Sequence, residues 1–478
     1  MNYETVIGLE IHVQLSTESK AFCGDKTGFA GEPNTRISAI SLGHPGTLPR
    51  LNEKQLEYAI RLGVALGSKI SRKTTFDRKN YFYADLPKGY QITQDLKPIC
   101  IGGEIPIEVN GQQKIIKIHH VHIEEDAGKS MHDSDDPYSY IDLNRAGTPL
   151  LEIVTNPDLR SAEEVDALMT AMRQLVRYLG ISDANMQEGN LRCDVNISIR
   201  PEGADYFGNR CEVKNMNSMR YARKAVAYEV ARQIKIVESG GIVAQQTLNF
   251  DPATGQTSPL RNKEDAHDYR YFPEPDMPPI HITDQELENI RQHLPAFPWQ
   301  VKQRLIADYG LSAYDANLLS AEKETADFFF NLGQKSKENK AMANLIINKI
   351  LPWCRENDQP IDQFPLNTSV LAAFIQLITE NKVSHTAAYQ ELFPVLVEQE
   401  GISPLALAEQ LNLIQSSNVD ELSTWVDEVI AANPREVKAY QNGKKKLIGF
   451  FMGQVMKLSK GQAAPKEVNA LLREKLVA

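Results

Sequence analysis

A chain of 478 residues, 42% hydrophobic and 24% charged, is long enough for two or three hydrophobic cores and has the makeup of a globular protein. No apolar run approaches the length of a bilayer span, and the opening MNYETVIGLE has neither a basic nor an apolar leader region, so a cytoplasmic protein that avoids membranes is expected. The formal charge of −10 hides an asymmetry: from Arg435 to Ala478 ten basic residues face three acidic ones, so an acidic body ends in a basic tail of the kind that meets nucleic acid. Five scattered cysteines without a CxxC pair argue against a disulfide framework.

In chain order, GLEIHVQL predicts a strand with Leu9, Ile11, Val13 and Leu15 on one face and Glu10, His12 and Gln14 on the other. In RKNYFYADLPKGYQ the residues Lys79, Tyr81 and Tyr83 alternate in the same way, and Lys88 sits in the turn that follows. IIKIHHVHIEEDAGK ends its alternation in Glu124, Glu125 and Asp126. Next, IDLNRAGTPLLEI places Asp142, Asn144 and Arg145 before a turn shaped by Gly147 and Pro149, with Asn144 as its cap. Arg145 is the residue there with chemical reach, because a guanidinium beside carboxylates bridges them or clamps a phosphate.

Helical periodicity spans Ser161 to Tyr178, with Glu163, Glu164 and Asp166 in a first turn that favours negative charge, and again Ser218 to Glu238. Between these helices RCDVNISIR sets Val195, Ile197 and Ile199 opposite Asp194, Asn196 and Ser198, and RCEVKNMN sets Glu212 and Lys214 opposite Val213. Six prolines from Pro252 to Pro279 mark a boundary or long ordered loop, and beyond Asp284 the chain reads as all-helical, with a softer break at Gly401-Ile402-Ser403-Pro404. The expected fold is α+β: a mixed or antiparallel sheet domain over 1–284, a helical domain over 285–403 and a small basic helical tail over 404–478. One solvated sheet face would explain any single acidic strand. Four strands rich in Glu, Asp and His are better explained as neighbours whose like charges need a cation, with magnesium the obvious one.

The stretches GLEIHVQL, RKNYFYADLPKGYQ, HIEEDAGK, IDLNRAGTPLLEI, EGNLRCDVNISIR, CEVKNMNS and RYFPEPD together resemble the B subunit of the tRNA-dependent amidotransferases, over essentially the whole chain and including a YqeY-like tail. The resemblance implies a glutamine-dependent carbon–nitrogen ligase that amidates Glu-tRNA(Gln) and/or Asp-tRNA(Asn), after activating the carboxylate with ATP. It implies Glu10, His12 and Glu125 as magnesium ligands, with Asp194 and Glu212 as further ligands or their hydrogen-bonding partners. Lys79 and Lys214 would stabilise phosphate charge, Tyr81 and Arg145 would join them around ATP, and Tyr81, Tyr83 and Lys88 would meet the tRNA 3′ end. Lys444, Lys445 and Lys446 would hold the tRNA elbow. Ammonia would be channelled from a separate amidase-type glutaminase, the A subunit, with a small C subunit as third partner and no DNA involved. Many family members carry zinc on a CxC and a CPxC pair; Cys23-Gly24-Asp25 and Ser38-Ala39-Ile40-Ser41 leave one cysteine here, so no zinc is expected. The alternative is a noncatalytic tRNA-binding scaffold whose acidic cluster is structural. A zinc- or iron-dependent hydrolase lacks its His/Cys spacing.

Overall fold

In a computed structural model of the chain, all residues are described except 1, 29–30, 133–136, 217, 262–268, 400, 416–417, 460 and 477–478. Asn217, the 262–268 part of the proline-rich segment and Lys460 of the basic tail therefore lie outside the described residues. The strands are β1 (Tyr3–Gln14), β2 (Lys69–Ile70), β3 (Lys73–Thr74), β4 (Asp77–Asn80), β5 (Tyr90–Thr93), β6 (Cys100–Ile101), β7 (Glu104–Val109), β8 (Gln112–Glu125), β9 (Lys129–His132), β10 (Ser139–Asp142), β11 (Pro149–Thr155), β12 (Leu191–Pro201), β13 (Cys211–Met216), β14 (Gln246–Asp251), β15 (Gln256–Arg261), β16 (Arg270–Pro273) and β17 (Ile280–His281). One sheet has the order β15-β14-β13-β12-β1-β11-β8-β6-β2, with β7 also paired to β8. Its pairs are antiparallel except β13 with β14, which makes it mixed. A smaller sheet, β16-β4-β5, lies within the same unit.

Alternation decides which face is buried. Leu9, Ile11 and Val13 of β1 stand beside Val195, Cys193 and Leu191 of β12, and all six are essentially buried. Two helices share this core: α1 (Ala162–Tyr178), capped by Ser161, contributes Val165, Leu168, Met169 and Met172, and α2 (Met219–Glu238), capped by Ser218, contributes Ala222, Ala225 and Val226. In each helix the serine side chain accepts a backbone N–H of the first turn, so the two predicted helix starts are also cap positions. With the apolar face covered, the residues between are left to the opposite face.

The chain separates into two compact units, Met1–Gln300 and Val301–Ala478. Among its described residues the second unit is helical apart from an isolated bridge between Val383 and Ile414. Two of its helices open a wide π turn just before a proline, Ile346–Ile350 before Pro352 and Ala388–Leu392 before Pro394. Proline lacks the N–H and crowds the carbonyl four residues back, and the wider turn relieves both faults. The tail packs its own core from Leu422, Val426, Tyr440, Phe451, Val455, Val468 and Leu472.

Candidate active site

Strand register joins the polar residues into one continuous face. Glu10 stands opposite Asp194 and His12 opposite Arg192 across β1 and β12. His12 is also opposite Glu152 on β11, Glu152 is opposite His122 on β8, and Asn196 is opposite Glu212 on β13. Directly opposed residues point the same way, so all of these, with Glu124 two residues beyond His122, share the face that the helices leave uncovered.

Two clusters form there. Glu10, Asp194 and Glu212 bring carboxylate oxygens within 4.8 Å of one another, and His12, Glu124 and Glu152 do so with one ring nitrogen and two carboxylates. In the first, Lys214 Nζ lies 2.8 Å from Asp194 and 2.9 Å from Glu212. Asn196 donates to Glu10 at 3.0 Å, and Thr247 to Glu212 at 3.0 Å. One lysine thus serves three carboxylates. Burial, together with Glu152 and Glu212, pushes the Glu10 carboxyl above its ordinary range in spite of Lys214 and Asn196.

The second cluster balances its charge differently. His12 Nε2 is 3.2 Å from Glu152, and His122 Nε2 is 3.1 Å from Glu124 and 3.6 Å from Glu152. Thr93 and the Gln91 amide donate to Glu124 at 2.9 and 3.1 Å. Burial alone would discharge these groups. For Glu124 it is outweighed by Lys79 and His122, and for Glu152 by the hydrogen bond from His12 and the charges of His122 and Lys79, so both carboxyls stay below their ordinary range. His12 is held above its ordinary value against burial by Glu152 and Glu124, and His122 by Glu124 and Glu152. A divalent cation fits this chemistry: the first cluster is all oxygen, the choice of magnesium, and in the second a ring nitrogen joins two carboxylates. The uncompensated repulsion on Glu10 is what such an ion would relieve.

The strands bring Glu10, His12, Asp194, Glu212 and Lys214 together, but Glu124 rather than Glu125 reaches the second cluster. Along β8 Glu125 shares the parity of buried Ile123; its carboxylate accepts the Ile92 N–H at 3.0 Å and pairs with Lys88. Lys79 lies 3.9 Å from Glu124 and 5.0 Å over the ring of Tyr269. Tyr81 falls just beyond β4, its ring 5.7 Å from Tyr83 and 5.5 Å from Tyr269, and its hydroxyl donates to Gln91 at 3.3 Å. Arg145 closes a turn: Nε donates to the Ala127 carbonyl at 2.9 Å and Nη2 to that of Gly128 at 2.5 Å. Gly128 has no room for a Cβ, which would meet the carbonyl oxygens of Asp85 and Asp142 at 2.9 Å. In the tail unit Lys444, Lys445 and Lys446 are exposed.

The same face carries Glu152, His122 and Arg192, which the sequence alone did not single out. Glu152 lies in the apolar-looking LLEIV, and its signal is the parity that sets it between Leu151 and Ile153. At the lone cysteine of the region compared with the family's zinc site, Cys23 Sγ lies 3.3 Å from both Asp25 and Ser41, and Ser41 also donates to Asp25. Hydrogen bonds thus join the three side chains directly.

Comparison with known proteins places the chain in a family. Residues 5–288 match the family model described as GatB/GatE catalytic domain, and 327–476 match the one described as GatB domain. The chain is 46% identical over 480 residues to the B subunit of the aspartyl/glutamyl-tRNA(Asn/Gln) amidotransferase of Persephonella marina, covering all of both chains. It is 46% identical over 479 residues to that of a Thermoanaerobacter species and 45% over 476 residues to that of Chlorobium chlorochromatii, again over the full lengths. With both halves matched and the relatives aligned from end to end, the chain belongs to the family of B subunits of the aspartyl/glutamyl-tRNA(Asn/Gln) amidotransferases.

Proposed function

We propose that this chain activates and amidates the side-chain carboxylate of Glu-tRNA(Gln) and/or Asp-tRNA(Asn), as the ATP-using member of a glutamine-dependent amidotransferase complex. A carboxylate is a poor acyl donor because its leaving group would be oxide. Its oxygen therefore attacks the γ-phosphorus of ATP, the bond to ADP breaks, and ammonia then displaces phosphate from the acyl phosphate to leave the amide. This chemistry needs positioning and charge rather than a protein nucleophile. The observation that carries the reading is the pair of carboxylate clusters side by side on one sheet face, with Lys79 and Lys214 among them.

Glu10, Asp194 and Glu212 would hold one magnesium and His12, Glu124 and Glu152 a second. Bound there, the ions would neutralise charge on the phosphates. Lys214 fixes Asp194 and Glu212 in place as ligands, and Asn196 orients Glu10. Lys79, fixed between Glu124 and Tyr269, stays protonated beside the site, since the neighbouring carboxylates outweigh its burial. Tyr81, Tyr83 and Tyr269 offer ring faces to a base of the tRNA 3′ end.

The separate glutaminase (the A subunit), the small C subunit, and a cytoplasmic setting belong to this same reading. So does the division into a catalytic domain over 1–284, a helical domain over 285–403 and a tRNA-holding tail over 404–478. The test is amide formation on Glu-tRNA(Gln) by the assembled complex with ATP, magnesium and ammonium chloride, which bypasses the glutaminase. Product from wild type and none from Glu124→Gln, with tRNA affinity unchanged, supports the assignment; full activity in Glu124→Gln would return the cluster to a structural role. For the tail, replacing Lys444, Lys445 and Lys446 by alanine should weaken tRNA binding. Its salt dependence should flatten by about 0.7–0.9 in log–log slope for each phosphate no longer neutralised, as filter binding at several salt concentrations would read.

A further inference from the structure

We propose that Arg192 takes up the negative charge of the transferring phosphoryl group, an inference that rests on the phosphoryl-transfer reading above. The cations on and beside this face are not equally free. Lys214 is shared by Asp194 and Glu212, Lys79 approaches Glu124 at 3.9 Å, and Lys88 is paired with Glu125. Around Asp126 the balance is reversed. This buried carboxylate is approached by Arg192 at 2.8 Å and by Arg145 at 3.8 Å, and it also accepts from the Gln14 amide at 2.5 Å. Two guanidiniums over one carboxylate leave the corner with a positive surplus, directly beside two acidic clusters.

The two arginines differ in what they have left to give. Arg145 is held by the carbonyls of Ala127 and Gly128. Arg192 is anchored through Nη2 alone; its Nε is buried without a partner, and its Nη1 makes no hydrogen bond among the described residues. Its side chain remains 35% exposed, so the far end of the guanidinium is reachable from the open side of the sheet. It stands opposite His12 and two residues from Asp194, so it flanks both clusters. A guanidinium pinned along one edge by Asp126, itself held by Gln14, and free along another, is pre-organised to donate to phosphate oxygens. In the step itself the substrate carboxylate oxygen bonds to phosphorus as the bond to the ADP oxygen breaks. Arg192 loses no proton; it donates hydrogen bonds to the equatorial oxygens, and Asp126 and Gln14 act as positioning residues.

The experiment uses the assembled complex and single-turnover amidation with ammonium chloride, comparing wild type, Arg192→Ala, Arg192→Lys and Glu152→Gln. Arg192→Ala should lower the rate by about 10²–10³-fold with tRNA affinity unchanged, as loss of a transition-state donor does. Guanidinium ion at sub-denaturing concentration should restore part of that rate, and Arg192→Lys should fall between. A rate within about threefold of wild type, or a loss that guanidinium does not relieve and that accompanies a lower melting temperature, would overturn the proposal and leave Arg192 a structural partner of Asp126. If Glu152→Gln is fully active, the phosphoryl-transfer reading itself fails. If Glu152→Gln is inactive and Arg192→Ala is not, only the assignment of Arg192 falls.

Discussion

The two acidic clusters are made of neighbouring residues on the same sheet face, yet they hold their charge in opposite ways. Around Glu10, Asp194 and Glu212 a single lysine faces three carboxylates, and Glu10 is pushed toward its protonated form by burial and by its neighbours. Around Glu124 and Glu152 the ammonium of Lys79, two imidazoles, a threonine hydroxyl and an amide converge, and both carboxyls are driven the other way. The first is an electrostatically incomplete site that gains most from an added cation. The second is nearly complete without one, so an ion there competes with histidine for the same oxygens.

Activity is where the two should look alike. Glu10→Gln and Glu152→Gln keep shape and remove charge, and each should lower ammonium-dependent amidation by about 10²-fold or more if both clusters serve the phosphoryl step. Loss in one variant alone would reduce the site to a single working cluster.

Stability without metal should separate them. Glu152→Gln breaks a hydrogen-bonded pair with His12 and leaves two imidazoles poorly matched, which should cost about 1–3 kcal/mol in a urea titration of the metal-free protein. Glu10→Gln removes a repelled charge while keeping an amide oxygen for Asn196, so the midpoint should stay or rise. Equal destabilisation by both would erase the proposed contrast.

The first cluster was largely legible in the sequence, because GLEIHVQL, RCDVNISIR and RCEVKNMN keep strict alternation across paired strands. In the second the structure brings Glu124, where the sequence reading names Glu125, beside His12 and Glu152. Choosing between Glu124 and Glu125 requires counting parity from Ile123, and the run of three acidic residues hides that count. Glu152 was obscured because a single carboxylate inside LLEIV looks like an ordinary break in an apolar strand; its importance comes from register with His12 and His122, which is long-range information. Tyr269 meets Tyr81 only because β16 pairs with β4 across nearly the whole first unit. Arg192 stands near the head of its strand, just before the alternation that carries the acidic pattern.

A smaller effect concerns pH. Glu152 is lowered from the usual 4.5, so its contribution is complete above that value and is lost as pH falls through its lower folded value. His12 is raised from 6.5, so its share is present below that value and fades as pH rises through its higher folded value. The His12–Glu152 pair is thus strongest in the interval between the two. Glu10, raised from 4.5, has the opposite sign to Glu152: it favours the fold at acid pH and ceases to as pH rises. Melting the metal-free protein from pH 8 down to well below 4.5 should show an acid-side loss of stability that shrinks in Glu152→Gln, and Glu10→Gln should remove the compensating gain that sets in above 4.5 as pH falls.

The finest distinction is the choice of ion. Magnesium favours hard oxygen ligands, whereas manganese accepts a ring nitrogen more readily. Because only the second cluster contains an imidazole, His12→Asp should shift the ratio of activities supported by manganese and magnesium toward magnesium, by a few-fold at matched free ion. An Asp194→Glu change, which keeps the first cluster all oxygen, should leave that ratio near its wild-type value even where it lowers both activities. Amidation assays over a metal titration, with the ratio rather than the rate as readout, separate ligand chemistry from general damage. A ratio that moves equally in both variants would mean the two clusters hold one shared ion, and the contrast between them would then be a property of the metal-free state alone.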